Sequence, residues 1–158
     1  MPYPMGHISG SSILPLQLCL GVKLIIYSDF TVDLLFRSIE KYRITFLPTF
    51  PSFGRKLIEG DLCQKYDLSS LKGVNTGGAA FPANIALAII DRYQVQFREG
   101  YGMTEYLFIC RGTAVDQPYI PGSAGPVSPG TELKVVDLHT GATLGPNTDG
   151  ELCVRGNK

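Results

Sequence analysis

The sequence lacks an excess of charge of either sign. Its 14 Lys and Arg residues balance 14 Asp and Glu residues, so the formal charge is zero. Without a basic field, nucleic acid and anionic membranes are excluded as main partners. The sequence also lacks an apolar run long enough to cross a bilayer. Its start has no basic stretch leading into an apolar segment, so no secretory signal is expected. The spacings of metal and redox cysteines are missing too. Cys19, Cys63, Cys110 and Cys153 lie far apart and match neither zinc nor dithiol patterns. The expectation is buried free thiols in a reducing compartment, with a sulfur nucleophile as the alternative. There is no internal repeat and no low-complexity segment.

What the sequence does contain suffices for a packed core. The hydrophobic fraction is 44% against 18% charged, which argues against disorder. A length of 158 residues fits one domain, or one subdomain and the start of another.

Four short runs read as strands: residues 22–27, 44–47, 74–76 and 95–97. Helical segments separate them. Thr31 is placed to cap a helix carrying Val32, Leu35, Phe36 and Ile39 on one side. Residues 50–62 read as helix. Pro82 suits a first helical turn, with Ile85, Ala86, Ile89 and Ile90 as the apolar stripe. Strands alternating with helices predict an α/β fold, a parallel sheet flanked by helices. The composition changes after Asp116. Residues 117–130 are rich in Pro and Gly, residues 132–138 read as a strand, and turns at 139–141 and 146–150 precede a last strand from Glu151. These signals predict an α/β unit over residues 1–121 and the start of a β-rich subdomain over residues 122–158. A domain seldom ends on an open strand edge, so truncation is expected.

In open parallel sheets, ligands bind beyond the carboxyl ends of the strands. The unusual short segments of this sequence fall at those ends: Pro48-Thr49-Phe50-Pro51, then Thr76-Gly77-Gly78-Ala79-Ala80, then Glu99-Gly100-Tyr101-Gly102-Met103-Thr104-Glu105. Gly77 and Gly78 would let a flat ligand lie against backbone, and Ala79 and Ala80 keep the wall thin. A ligand-free strand-to-helix turn fits that pair equally well. The third segment is more specific. Tyr101 offers a stacking face, Thr104 a hydroxyl for phosphate and Glu105 a hard carboxylate for Mg²⁺. The alternative is a capped turn with a solvated glutamate. His7 lies in Pro4-Met5-Gly6-His7-Ile8-Ser9-Gly10, where a structural role is the simpler reading. His139 lies in a turn and reads as solvated.

These residues resemble a known family. Residues 99–105 look like the Gly-Tyr-Gly-Met-Thr-Glu signature of adenylate-forming enzymes: acyl-CoA synthetases, 4-coumarate–CoA ligases, luciferases and peptide-synthetase adenylation domains. Residues 76–82 resemble their Gly-Gly-Ala-Pro-Leu loop, with Ala80 at the usual proline and Phe81 at the usual leucine. Residues 4–10 resemble their Pro-x-x-His-x-x-Gly segment. Residues 66–71, 122–127 and 150–156 match further family phrases, in the family's order.

The resemblance implies a two-step reaction. A carboxylate attacks the α-phosphate of ATP, giving acyl-adenylate and pyrophosphate, and a thiol, usually that of CoA, then takes the acyl group. By position, Gly78, Ala79 and Ala80 would border adenine and the acyl pocket. Glu99, Gly100, Tyr101 and Gly102 would form the adenine end. Thr104 would contact phosphate, Glu105 would bind Mg²⁺, and His7 would line the acyl pocket. The family's phosphate loop is expected before Met1. Its ribose-binding aspartate and its small domain with a catalytic lysine are expected after Lys158. The missing N- and C-terminal parts of the same enzyme are therefore implied partners, and the cytoplasm or the peroxisome the implied location. One departure concerns CoA: many ligases carry a basic residue before the phenylalanine that is Phe30 here, where this chain has Asp29. A luciferase-like or peptide-synthetase module is the second reading, and a non-catalytic nucleotide-binding or interaction domain the third.

Overall fold

The computed structural model describes residues 4–112 and 118–156. Three strands form a parallel sheet in the order β1–β2–β3: β1 is Phe46–Thr49, β2 is Gly73–Gly77 and β3 is Gln96–Gly100. The predicted α/β architecture is therefore present. These strands take up three of the four predicted runs, with bounds shifted by up to three residues. Pro48 sits in β1, which among the described residues is an edge strand paired with β2, a position where proline is tolerated.

The helices follow from local chemistry. Helix α2 is preceded by α1, Ile8–Cys19, and runs Val32–Tyr42. The Thr31 hydroxyl accepts from the Leu34 amide at 3.1 Å, satisfying an orphan donor of the first turn of α2. Arg43, at φ 51°, ends this helix in a left-handed conformation. Leu35, Phe36 and Ile39 are buried as the stripe predicts. The predicted helix over 50–62 breaks into shorter pieces: α3, Pro51–Gly54, then a 3₁₀ turn Arg55–Leu57, then α4, Leu62–Lys65. Gly60, at φ 89°, interrupts it. Helix α5 is Ala83–Tyr93, with Pro82 at its N-cap and Ile85, Ala86 and Ile89 buried.

The core lies between the sheet and these helices. Leu47, Val74 and Phe97 are neighbours across the three strands and pack with Phe36, Ile39, Ile85 and Ile89. Each fully buried side chain of this size contributes about 1.5–3 kcal/mol relative to exposure.

The structure departs from expectation in three further places. Residues 22–27 form no strand, and Val22 and Ile26 are exposed at 42% and 54%. β-type composition alone does not make a strand; a ladder partner does. Helix α1 has no counterpart among the predicted elements. Its apolar residues lie all round it and Pro15 lies inside it, so no period shows in the sequence. Cys19, at its end, is exposed rather than buried. The other three cysteines are free and at least partly buried, as expected.

Beyond residue 117, β4, Thr131–Val136, pairs antiparallel with β5, Glu151–Gly156. Among the described residues, no helix is long and apolar enough to cross a membrane.

Candidate active site

The carboxyl ends of the three parallel strands stand level. Two rungs beyond the apolar row, Thr49, Thr76 and Glu99 are partners across the sheet. Residues two apart on a strand share a face, so this polar row continues the buried face. Its members are 0%, 7% and 9% exposed. The Thr76 hydroxyl has no hydrogen-bond partner among the described residues. The sequence singled out the strand-end segments holding both threonines but assigned neither a role; the signal for one was a hydroxyl two positions past a buried apolar residue.

The next rung pairs Gly77 with Gly100. A Cβ on Gly77 would come within 3.1 Å of the Gly100 carbonyl oxygen, so the two backbones approach closely and a side chain there would crowd them. Gly78 follows at φ 84° with open space around its Cβ position. Ala79 and Ala80 are exposed, giving a thin, accessible wall. Phe81 then turns inward and packs on Phe97, ring centroids 4.9 Å apart.

Glu99 fastens this loop. Its Oε1 accepts from the Phe81 amide at 3.0 Å, and its Oε2 accepts from the Tyr119 hydroxyl at 2.8 Å. The Tyr119 ring lies edge-on to Phe97, centroids 5.1 Å apart. Its hydroxyl is pushed up to about 12, first by burial and then by the hydrogen bond to Glu99. The Glu99 carboxylate is thus engaged by the protein itself. Sequence reasoning did not find Tyr119, which lies 20 residues beyond Glu99.

The segment after β3 folds back on itself. Tyr101 and Cys110 exchange backbone hydrogen bonds at 3.1 and 2.9 Å. Between them, the Met103 carbonyl accepts from the Tyr106 and Leu107 amides at 3.2 and 2.7 Å. Tyr101 is 43% exposed, and Thr104 and Glu105 are exposed on the same turn. The Tyr106 hydroxyl donates to Thr131 Oγ1 at 3.2 Å, tying the turn to β4. Residues 78–80, expected from the family resemblance to border adenine, the aromatic Tyr101 and the Thr104–Glu105 pair therefore adjoin the ends of two neighbouring strands.

His7 is placed differently. It is the N-cap of α1, where Nδ1 accepts from the Ser9 amide at 3.2 Å and lies 2.6 Å from Ser9 Oγ. His7 is exposed, and among the described residues its ring bonds only to Ser9 in the first turn of α1.

Among the described residues, no group of three His, Cys, Asp or Glu side chains could cage a metal. A lone exposed carboxylate at Glu105 fits a Mg²⁺ that takes its remaining ligands from water and phosphate, as this ion usually does. A separate concavity of about 390 Å³, bordered by Asp137, Leu138, His139, Asp149 and Gly150, lies among the turns of the β4–β5 unit. There Asp137 Oδ1 already accepts from the His139 and Thr140 amides at 2.9 and 2.8 Å, which is turn formation.

Residues 1–158 match the AMP-binding enzyme family along their whole length. The chain belongs to that family. Among its AMP-binding relatives are 4-coumarate–CoA ligase-like 9 of Arabidopsis thaliana, 33% identical over 97% of this chain, and the luciferin 4-monooxygenase of Photinus pyralis, 37% identical over 97%. The chain spans 28% of the length of each. The luciferase-like enzyme of the nonluminescent mealworm Zophobas morio superposes with a TM-score of 0.83 at 28% identity, over 98% of this chain and 38% of that one. ATP-bound MatB from Rhodopseudomonas palustris superposes at 0.86 over 98% of this chain and 30% of that one; at 24% identity this likeness bears on the fold alone.

Proposed function

We propose that this chain forms the adenine side and one metal ligand of the active site of an ATP-dependent carboxylic acid–CoA ligase. The observation that carries the reading is the Gly77–Gly100 rung, from which the bare wall 78–80 and the exposed face of Tyr101 both project. A purine would lie on Gly78, Ala79 and Ala80, with Tyr101 as its stacking partner. Thr104 would donate a hydrogen bond to a phosphate oxygen. Glu105 would hold Mg²⁺, which when bound offsets phosphate charge as pyrophosphate departs. The acid's carboxylate oxygen then bonds to the α-phosphorus while the bond to pyrophosphate breaks. His7 would border the acid in the assembled enzyme.

Alone, the chain has no work to do as a catalyst. Charge builds on the departing pyrophosphate, and besides the Mg²⁺ that Glu105 would hold, the exposed Thr104–Glu105 turn brings no Lys or Arg to meet it. The implied partners are fatty or aromatic acid, ATP, CoA and the remaining parts of the same enzyme, in the cytoplasm or the peroxisome.

Asp29 favours a second reading. It is exposed where many ligases are basic, and a like charge opposes the phosphates of CoA. An adenylating enzyme with a different second step, as in luciferases, follows from it. ATP–pyrophosphate exchange by the intact enzyme against a panel of fatty and aromatic acids tests adenylation. Thioester formation with CoA then separates the two second steps. Absence of exchange with every acid would leave a non-catalytic nucleotide-binding or interaction domain.

A further inference from the structure

Four side chains close a ring beneath the proposed adenine wall. Phe81 packs on Phe97, and Phe97 packs on Tyr119. The Tyr119 hydroxyl donates to Glu99, and Glu99 accepts from the amide of Phe81. The ring joins three separate parts of the chain: the loop after β2, the end of β3, and the segment that leads to β4. Its purpose is readable from what it fixes. Gly78 has open space around its Cβ position and Ala79 and Ala80 are exposed, so among the described residues the outer side of the wall is open. Phe81 is the first buried residue after it, 5% exposed, and its amide is the anchor.

We propose that Glu99 and Tyr119 are positioning residues that lock the 78–81 loop in its nucleotide-receiving conformation. The inference rests on the nucleotide reading above. A charged acceptor strengthens both hydrogen bonds, and burial keeps water from competing for it. Glutamate serves better here than a neutral amide because it accepts at both oxygens, as the two donors require. The raised value of the Tyr119 hydroxyl, owed first to burial and then to its hydrogen bond to Glu99, agrees with this.

The test has two readouts. Amide exchange of residues 78–82 needs no catalysis. Tyr119→Phe keeps the ring and removes one donor, and it should speed exchange of the Phe81 amide roughly three- to tenfold while the amides within β2 and β3 stay protected. In the intact enzyme, the same substitution should raise KM for ATP about three- to tenfold, leaving kcat within about twofold. Glu99→Ala should exceed both effects, while Glu99→Gln, which still accepts from Phe81 but gives Tyr119 no second acceptor oxygen, should fall close to Tyr119→Phe. Unchanged Phe81 exchange in Tyr119→Phe overturns the inference, whether or not the enzyme turns over. Faster exchange with unchanged KM also overturns it, leaving a structural contact only. If the wild type performs no pyrophosphate exchange with any acid, the nucleotide reading fails, and the inference that rests on it falls too.

Discussion

Gly102 and Leu107 meet backbone to backbone: a Cβ on Gly102 would land on the Leu107 carbonyl oxygen. Leu107 itself is left-handed, at φ 59°. The contact closes the turn that presents Thr104 and Glu105, and it fixes why glycine follows Tyr101. A second glycine, Gly78, is required for another reason, since its Cβ position is open and only its φ of 84° is demanding.

The two glycines should therefore respond differently to alanine. Gly102→Ala forces backbone to move and should cost about 1–3 kcal/mol, as overpacking does. Gly78→Ala adds only left-handed strain, roughly 1–2 kcal/mol. Loss of protection at the Leu107 amide should accompany Gly102→Ala alone. Urea unfolding with amide exchange measures both, and equal effects on Leu107 would contradict the account.

Glu105 and Thr104 should separate in the intact enzyme. Glu105→Ala is expected to slow adenylate formation by about two to four orders of magnitude, the usual loss for a transition-state electrostatic group. Thr104→Ala removes one neutral hydrogen bond, worth roughly 0.5–1.5 kcal/mol. Near-normal exchange in Glu105→Ala would reject the metal role.

Tyr119 gives a pH prediction. Its hydroxyl titrates at about 12 in the folded chain, against an ordinary 10.0. The folded state holds this proton more tightly, so the contribution is complete below about pH 10 and is lost as the pH rises toward 12. Wild type should lose its stability advantage over Tyr119→Phe across that alkaline window. A difference between the two that stays constant with pH would count against the Glu99–Tyr119 bond.

The isolated chain should self-associate. Leu16, Leu18 and Leu20 are 46%, 60% and 66% exposed, and among the described residues β5 pairs with β4 only. Exposed apolar surface beside an open strand edge favours association. Sedimentation should show a mass that grows with concentration. A clean monomer with one sharp thermal transition would contradict this.

Much of this was legible in the sequence, and the reasons are local. Thr31 and the stripe of α2 announce a helix because a cap and a 3.6-residue period are short-range signals. The strands reveal themselves by apolar runs between breakers, and the strand-end segments by their glycines and by the Tyr101 to Glu105 spacing. What stayed hidden depends on distant partners. Residues 22–27 have strand composition but form no ladder. Helix α1 has apolar residues on every side, so no face marks it. The direction of the Glu99 carboxylate is set by Phe81 and Tyr119, which lie 18 and 20 residues away along the chain.

The most direct test is ATP–pyrophosphate exchange by the purified chain beside the intact enzyme, with Mg²⁺ and a panel of fatty and aromatic acids. Positioning by the rest of the active site accounts for roughly 7–11 kcal/mol of a barrier of this kind. The account therefore predicts exchange by the intact enzyme, its collapse in Glu105→Ala, and no exchange by the chain alone. Exchange by the chain alone above its own Glu105→Ala background would contradict it.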